Sequence, residues 1–471
     1  MHLVETQSVG RRAAQVRAAG VAGAALALAA LVGCGNTYRP VVSAINPVGP
    51  AGQPNKYVVA ISSPAPVATT NGLVTIVDFS GDTVLATPSI GVNPYYFNVG
   101  PGGNTGYTLN GDKTVNTFDI SPSLQTINVL QTTLLPGANP VSVFSEGGVT
   151  YLPEPGRSSV AQLNGTPPAL KQELPVGANP SYVVGLNGAP RAYALSQGIF
   201  AAGQTVCNST NAPGTAAAIE LTGNTISATL PVGKCPIYGI FSPDARRAFI
   251  LNQGDGTVTV VNTQTNMLDV FAVPTATTTP APTTSTIPVG TAPLWADSSP
   301  TRSEIVVLNG GTGTTPGSLS IINIPLCSSS VLNDPNCSSI NQVDATGFGQ
   351  VLATVPVGVN PVVVSVLSDG TRAYVANAGT GTLPCSTTPV AGVSEACTVS
   401  VVNLTTNTVT ATIPIAGHPK FLATSNASPT GKVYVVCNDS TAMTVIRTDE
   451  DVVSLTIPLQ GLGVSVRVTQ P

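Results

Sequence analysis

Short runs in which apolar and polar residues alternate cover most of this chain, separated by small clusters of Gly, Pro, Asn, Asp and Ser. Alternation with a period of two predicts half-buried strands, and the clusters predict tight turns. One unit displays the grammar. Residues 361–367 are a first strand, Ser368-Asp-Gly-Thr371 a turn, and Arg372-Ala-Tyr-Val-Ala-Asn377 a second strand. Thr398-Val-Ser-Val-Val402 is a third, the turn Asn403-Leu-Thr-Thr-Asn407 follows, and residues 408–415 are a fourth. Second strands recur at Tyr57, Gly106, Val149, Arg191, Arg247, Glu304, Arg372 and Lys432. Third strands begin near Leu73, Thr114, Ser158, Thr215, Thr257, Ser318, Thr398 and Ala442. There are eight of each.

A phrase joins each unit to the next: Gly91-Val-Asn-Pro94, Gly137-Ala-Asn-Pro140, Gly177-Ala-Asn-Pro180, Gly233-Lys-Cys-Pro236, Gly290-Thr-Ala-Pro293, Gly358-Val-Asn-Pro361 and Gly417-His-Pro419. Its prolines lie 46, 40, 56, 57, 68 and 58 residues apart. A period of this size built from short strands points to a radial or stacked repeat. Four-stranded units in series predict an all-β chain forming a single β-propeller of antiparallel blades, eight in preference to seven. Gly463-Val-Ser-Val-Arg-Val468 is a spare first strand that would close the ring by pairing with the N-terminal unit. Residues 41–45 compete for that place.

Ser368-Asp-Gly-Thr-Arg-Ala-Tyr-Val-Ala-Asn377, with the Thr-Val-Ser-Val-Val run and Thr-Asn-Thr-Val-Thr-Ala-Thr-Ile-Pro that follow, resembles the YVTN β-propeller repeat. Ser242-Pro-Asp-Ala-Arg-Arg-Ala-Phe-Ile-Leu-Asn252 is a second good copy, and the resemblance extends over residues 56–468. It implies the fold strongly and an activity weakly, since such repeats occur in surface-layer and cell-surface proteins and in lactonase-like or amine-dehydrogenase-like relatives.

Composition agrees with many short strands. Charged residues are 8% of the 471, where an average soluble protein has about 25%. Gly (47) and Pro (41) are abundant, which disfavours long helices. Residues 1–33 read as a leader rather than as fold. Arg11, Arg12 and Arg17 precede a small-residue apolar core that ends in Leu31-Val32-Gly33-Cys34. That tetrapeptide resembles the lipobox of bacterial lipoproteins, which implies cleavage before Cys34 and acylation of Cys34. Two or three acyl chains, at about 0.8 kcal/mol per buried methylene, anchor a protein stably. The expected organisation is a signal peptide at 1–33, a lipidated tether at 34–55 and the propeller at 56–471, in the cell envelope and on the outer membrane or cell surface. Loss of the leader would leave 15 basic and 21 acidic residues, with no basic run longer than two. Nucleic acid is therefore not an expected partner. The expected partners are the membrane, through the anchor, and an envelope protein or glycan, with the chain a monomer.

Seven cysteines follow Cys34. In a propeller, loops joining strands two and three share a face with loops joining strand four to the next strand one. Cys207 and Cys235 fall in two such loops, which predicts a bridge. Cys385–Cys397 would staple one long loop and Cys327–Cys337 an insertion on the opposite face. Cys437 falls in a strand and is expected to be a buried free thiol. No C-x-x-C pair and no zinc-like Cys/His spacing occurs, so no metal and no cofactor is expected. Residues 273–287 are a Thr/Pro insertion that reads as a flexible loop open to O-glycosylation.

The repeats act as an internal control on chemistry. Asp78, Asp119, Asn164, Asn262, Asn323 and Asn403 all end third strands and read as turn stabilisers. His418 is the only histidine beyond the leader and reads first as a loop residue in the phrase's Asn slot. The second residue after the anchor proline is aromatic in five units: Tyr96, Tyr182, Tyr238, Trp295 and Phe421. These rings read first as packing between blades and second as a ligand-binding ring around the channel. Lys234, Asp297, Lys420 and Arg467 are charges that depart from the repeat nearby. The function expected is a lipid-anchored binding, adhesion or scaffold module with no catalytic residues. The alternative is a lactonase-like hydrolase drawing on His418 with Asp297, Lys234 or Lys420.

Overall fold

The computed structural model describes residues 56–469, apart from 121–128, 275–276, 279–280, 299–300, 328–333, 335–336, 338–341 and 426–430. The leader, Cys34, the tether and the 41–45 candidate strand lie outside the described residues. Eight antiparallel sheets follow one another around an axis. Blade one consists of Leu462–Val468, Tyr57–Ser63, Asn71–Asp78 and a broken fourth strand, Thr83–Ala86 with Ser89–Val92. Blade two holds Pro94–Val99, Thr105–Asn110, Thr114–Asp119 and Val129–Thr133. Blade three holds Phe144–Glu146, Val149–Glu154, Ser159–Asn164 and Ala169–Pro175. Blade four runs Pro180–Val184, Arg191–Ser196, Pro213–Glu220 and Thr225–Lys234. Blade five runs Pro236–Phe241, Arg247–Asn252, Thr257–Asn262 and a split fourth strand, Met267–Leu268 with Thr286–Pro288. Blade six holds Pro293–Ser298, Glu304–Asn309, Pro316–Asn323 and Val351–Val359. Blade seven holds Pro361–Val366, Arg372–Asn377, Cys397–Asn403 and Thr408–Ile415. Blade eight holds Pro419–Ser425, Lys432–Cys437, Ala442–Arg447 and Val452–Pro458.

The ring closes through the C-terminal strand, with Val59 opposite Arg467 and Ala60 opposite Val466. First strands of neighbouring blades pack on one another around the axis. Apolar residues fill the wedges between blades. Phe249, Leu251, Val258 and Val260 of blade five meet Ile305, Val307 and Ile322 of blade six. No helix among the described residues is long and apolar enough to cross a membrane.

The repeated phrase is a joint between blades. In blades two, four, five, six and seven the residue before the anchor proline has positive φ: Asn93 52°, Asn179 51°, Cys235 53°, Ala292 54° and Asn360 49°. Asn tolerates this left-handed region best among residues with a side chain, which explains its prevalence. The next blade's second strand ends opposite the proline, as in Pro94 with Asn110 and Pro361 with Asn377. That terminal Asn is buried. Its amide donates to two side chains at the start of the third strand: Thr257 and Thr259 from Asn252 at 3.0 and 2.9 Å, Thr398 and Ser400 from Asn377 at 3.0 Å each. Asn309 does the same to Ser318 and Ser320. The glycine of the phrase lies flat against this Asn. A Cβ at Gly233, Gly290 or Gly358 would come within 2.5–2.6 Å of the Asn Cγ, too close for any side chain.

A second contact crosses blades farther out. The Tyr in the middle of a second strand reaches a left-handed Asx residue in the next blade's outer turn. Tyr193 donates to Asn266 at 3.3 Å, Tyr374 to Asp451 at 2.5 Å and Tyr434 to Asp82 at 3.1 Å, and Tyr151 bonds Asn224. The base that opens the strand joins in, with Arg372 on Asp451 at 2.8 Å and Lys432 on Asp82 at 2.7 Å. The spacing Arg-x-Tyr-x-x-Asn thus carries two inter-blade contacts and one intra-blade clamp.

Three details differ from the sequence expectation. Pro140 starts no strand. Blade three's first strand begins at Phe144, because Pro153 in its neighbour has no N–H to offer the ladder and only its carbonyl binds, accepting from Val141. The Thr/Pro insertion is not a loop throughout. Thr283–Thr284 pairs with Phe271–Ala272, and Thr286–Pro288 completes blade five because Ile287 is buried beside Phe271 and Phe348. The phrase before Pro419 is one residue short. His418 alone takes the roles of two residues, its N–H bonding Asp439 and its carbonyl accepting from Asn438.

Replacing Asn377 by Ala should leave the buried Ser400 and half-buried Thr398 hydroxyls without their donor and lower unfolding free energy by about 1–3 kcal/mol in urea titrations. Asn377→Ser should cost less, since Ser196 fills the same slot in blade four.

Candidate functional site

After each anchor proline except Pro140 the first strand carries a one-residue bulge, so that Tyr96, Tyr182, Tyr238, Trp295, Val363 and Phe421 come next in register. Residues two apart share a face, which places Asp297 on the face of Trp295 and Asn98 on that of Tyr96. A cavity of about 530 Å³ opens in the channel there. Its wall includes Tyr182, Tyr238, Trp295, Asp297, Phe421 and Arg467, with Asn98, Ser365 and Thr424 as further polar groups.

Four of the five aromatic positions form a continuous arc in this wall. Ring centroids lie 4.8 Å apart for Tyr182 and Tyr238, 4.1 Å for the stacked Tyr238 and Trp295, and 5.4 Å for the edge-to-face Trp295 and Phe421. The rings therefore pack on one another and also line the cavity. Tyr96 continues the arc through its hydroxyl beside Tyr182 but does not line the cavity. Burial raises the Tyr96, Tyr182 and Tyr238 hydroxyls above their ordinary value, so all three stay protonated.

Arg467, on the strand that closes the ring, lies over this arc. Its guanidinium carbon is 4.0 Å from the Phe421 centroid and 5.9 Å from that of Trp295. Nη1 donates to the Val466 carbonyl at 3.4 Å. Among the described residues, no carboxylate lies within 4.0 Å of it. Asp297 accepts from the Val366 N–H at 2.7 Å and the Ser298 N–H at 2.8 Å. It is surrounded by protein yet keeps a face on the cavity. Burial pushes its carboxyl up to about 6, against the pull of those hydrogen bonds and of Arg467.

His418 and Lys420 do not line this cavity. Asp297 sits at the far end of its strand, four residues and about 13 Å from the anchor-proline end where His418 lies. The expected hydrolytic set of His418 with Asp297 is therefore not assembled. Lys420 is exposed, and Lys234 Nζ donates to the Ser209 carbonyl at 2.9 Å.

His418 instead bridges two carboxylates on the face that holds the two–three loops. Nδ1 lies 2.6 Å from Asp439 and Nε2 3.1 Å from Glu395. Burial would push the imidazole down, but its bonds to Asp439 and Glu395 outweigh that and hold it above its ordinary value. Glu395 accepts from the Thr380 N–H and hydroxyl and the Gly381 N–H at 2.6–2.8 Å. Burial alone would raise this carboxyl, yet these donors and His418 bring it down to about 2. Glu395 and Asp439 carry no motif, and only their loop placement brings them to His418.

All three expected disulfides are formed: Cys207–Cys235, Cys327–Cys337 and Cys385–Cys397. Cys437 is a buried free thiol, pushed up to about 12 by burial and then by Asp439. Although no zinc-like spacing is visible in sequence, Cys385, Cys397 and His418 place their ligand atoms within 4.8 Å of one another.

No protein-family model matches this chain, and no curated protein matches it. Solved structures do. Dihydro-heme d1 dehydrogenase NirN, in complex with DHE, has a TM-score of 0.58 at 12% identity, over 88% of this chain and 75% of that one. Apo AztD from Citrobacter koseri has a TM-score of 0.56 at 12% identity, over 88% and 97%. This chain is a β-propeller. A candidate 6-phosphogluconolactonase from Bacteroides fragilis matches at 0.51 and 13%, over 89% of the propeller chain and 99% of its own. At such identities these are likenesses of fold alone.

The pH dependence of the propeller's stability should report Asp297. Its carboxyl is raised in the fold, so the stabilisation it contributes is complete below the unfolded value near 4 and is lost as pH rises through about 6. Asp297→Asn abolishes that slope. The melting temperature of D297N minus that of the parent should fall as pH drops from 7 to 4.5; a constant difference would contradict the assignment.

Proposed function

We propose that this protein is a ligand-binding propeller of the cell envelope, tethered through a lipidated Cys34, whose channel takes a small, flat anion. The observation that carries this reading is Arg467, a guanidinium with no carboxylate partner among the described residues, held over aromatic rings in the wall of a 530 Å³ cavity. Ligand pockets of about 300–1,000 Å³ combine apolar walls with a few placed polar groups, as here. An unpaired guanidinium in such a wall gains most from a carboxylate or phosphate, through charge-assisted hydrogen bonds. The aromatic arc supplies flat contact area. Adhesion or scaffolding by the outer loops is the reading left if the cavity binds nothing.

A hydrolytic reading is favoured by one observation: Asp297, with its carboxyl at about 6, shares the cavity with Arg467. Asp297 would take a proton from water attacking a lactone carbonyl, Arg467 would stabilise the oxyanion, and Asp297 would return the proton to the alkoxide released as the ring C–O bond breaks. The fold likeness to a candidate lactonase is consistent with this. Turnover of a lactone that disappears in Asp297→Asn would establish it.

Trp295 is the chain's only tryptophan, so its fluorescence reports this cavity without labelling. Titration with 4-hydroxybenzoate should give saturable quenching, while its neutral methyl ester should bind at least tenfold more weakly. Arg467→Gln should weaken the anion at least tenfold and leave the ester unchanged. Equal binding of acid and ester, or no quenching by either, would overturn the reading.

A further inference from the structure

We propose that the Cys385–Cys397 disulfide masks a metal site: opened by an external dithiol, Cys385 and Cys397 join His418 to bind one zinc-class divalent cation. The inference is independent of the channel, from which His418 is absent. Three ligand atoms of the right type already lie within 4.8 Å of one another, on three separate stretches of chain. Tetrahedral coordination with metal–sulfur bonds near 2.3 Å and a metal–nitrogen bond near 2.0 Å requires donor separations of about 3.5–3.8 Å. Opening the S–S bond lets the two sulfurs move apart to that spacing, and the imidazole is already within 4.8 Å of both. Cys385 is half-buried in the 378–396 loop, whereas Cys397 is fully buried at the start of a strand, so the loop side can give way.

The surroundings are those of a metal site. His418 Nδ1 is held by Asp439 at 2.6 Å, and Nε2 becomes a ligand by giving up its 3.1 Å contact with Glu395. A carboxylate on the second imidazole nitrogen is the usual support for a metal-binding histidine. Glu395, 3.1 Å from Nε2, faces the same pocket. Its carboxyl and the Cys397 sulfur both lie against Gly379, where a Cβ would meet them at 3.0 and 3.1 Å. Glu395 therefore stands ready for the fourth position, oriented by Thr380 and Gly381. Two thiolates and an imidazole are a soft donor set that selects zinc-class ions over magnesium or calcium.

The chemistry balances. An external dithiol gives up two electrons and two protons, becomes a disulfide, and leaves two thiols at Cys385 and Cys397. The cation displaces both thiol protons to solvent as the thiolates bind. In the oxidised protein the sulfurs are spent in the S–S bond and the site is closed. The result is a cation site under redox control, on the face opposite the Cys327–Cys337 staple.

Cobalt(II) is the probe. In a variant with Cys34, Cys207, Cys235, Cys327, Cys337 and Cys437 replaced by Ser, only the proposed pair remains. The oxidised form should take up no cobalt. After reduction it should bind one per chain, with thiolate-to-cobalt charge transfer and the intense visible bands of tetrahedral cobalt, and zinc should displace it. His418→Ala should weaken binding at least tenfold and alter the visible bands, while Asp439→Asn should weaken it about 10–100-fold. If the multiple variant does not fold, parent protein opened stepwise with a phosphine, with free cysteines identified by alkylation and mass spectrometry, gives the same readout. Cobalt uptake that fails in reduced protein with an intact β circular-dichroism spectrum would overturn the proposal. So would uptake with unchanged affinity and bands in His418→Ala.

Discussion

The joints into blades two, five, six and seven depend on one buried amide. Where a second strand ends, an Asn gives its N–H groups to two side chains opening the third strand, and the glycine of the preceding joint lies flat against it. Buried amides are costly when unmatched and specific when matched, so this contact fixes which strand follows which and how closely blades meet. A one-residue bulge follows the anchor proline in six blades, whether the residue opposite is Asn, Ser196 or Cys437. The bulge decides which side chains reach the channel. The cavity wall thus follows from the proline joint and its bulge.

Most of this architecture is legible in the sequence, for a physical reason: the contacts are local and recur. Arg-x-Tyr-x-x-Asn and Gly-x-Asn-Pro each encode a full set of bonds within a dozen residues or to the neighbouring blade. Eight second strands and eight third strands follow from them, and the loops they delimit place the three cysteine pairs. Where a contact depends on a single exceptional residue, the pattern misleads. Pro153 shortens the strand beside its own, and Ile287 draws part of a Thr/Pro segment into blade five by burial rather than by periodicity.

The candidate sites were only half legible, because they are built from departures. Aromatic residues after the anchor prolines and the odd charges Asp297 and Arg467 stand out against the repeat. Their grouping on one stretch of channel wall follows from strand direction and the bulge. His418 stands out equally, yet its partners Glu395 and Asp439 lie in loops whose path no periodicity determines. Asp439 would pass as a repeat feature, since Asp112 and Asp255 accept an N–H from the same joint at 2.8 and 2.6 Å. Only its second oxygen, on the imidazole, is exceptional.

These departures fall at the two ends of the first strands, and that separation has a chemical meaning. At the anchor-proline end, carboxylates enclose one imidazole and a disulfide, a set whose chemistry is proton and soft-cation binding. Farther along, beyond the rings, an unpaired guanidinium and a carboxyl raised by burial share the cavity, a set suited to a flat anion. In a chain with only 8% charged residues, neither group is diluted by neighbouring charges. The low charge of the fold is what allows each departure from the repeat to dominate its own electrostatic environment.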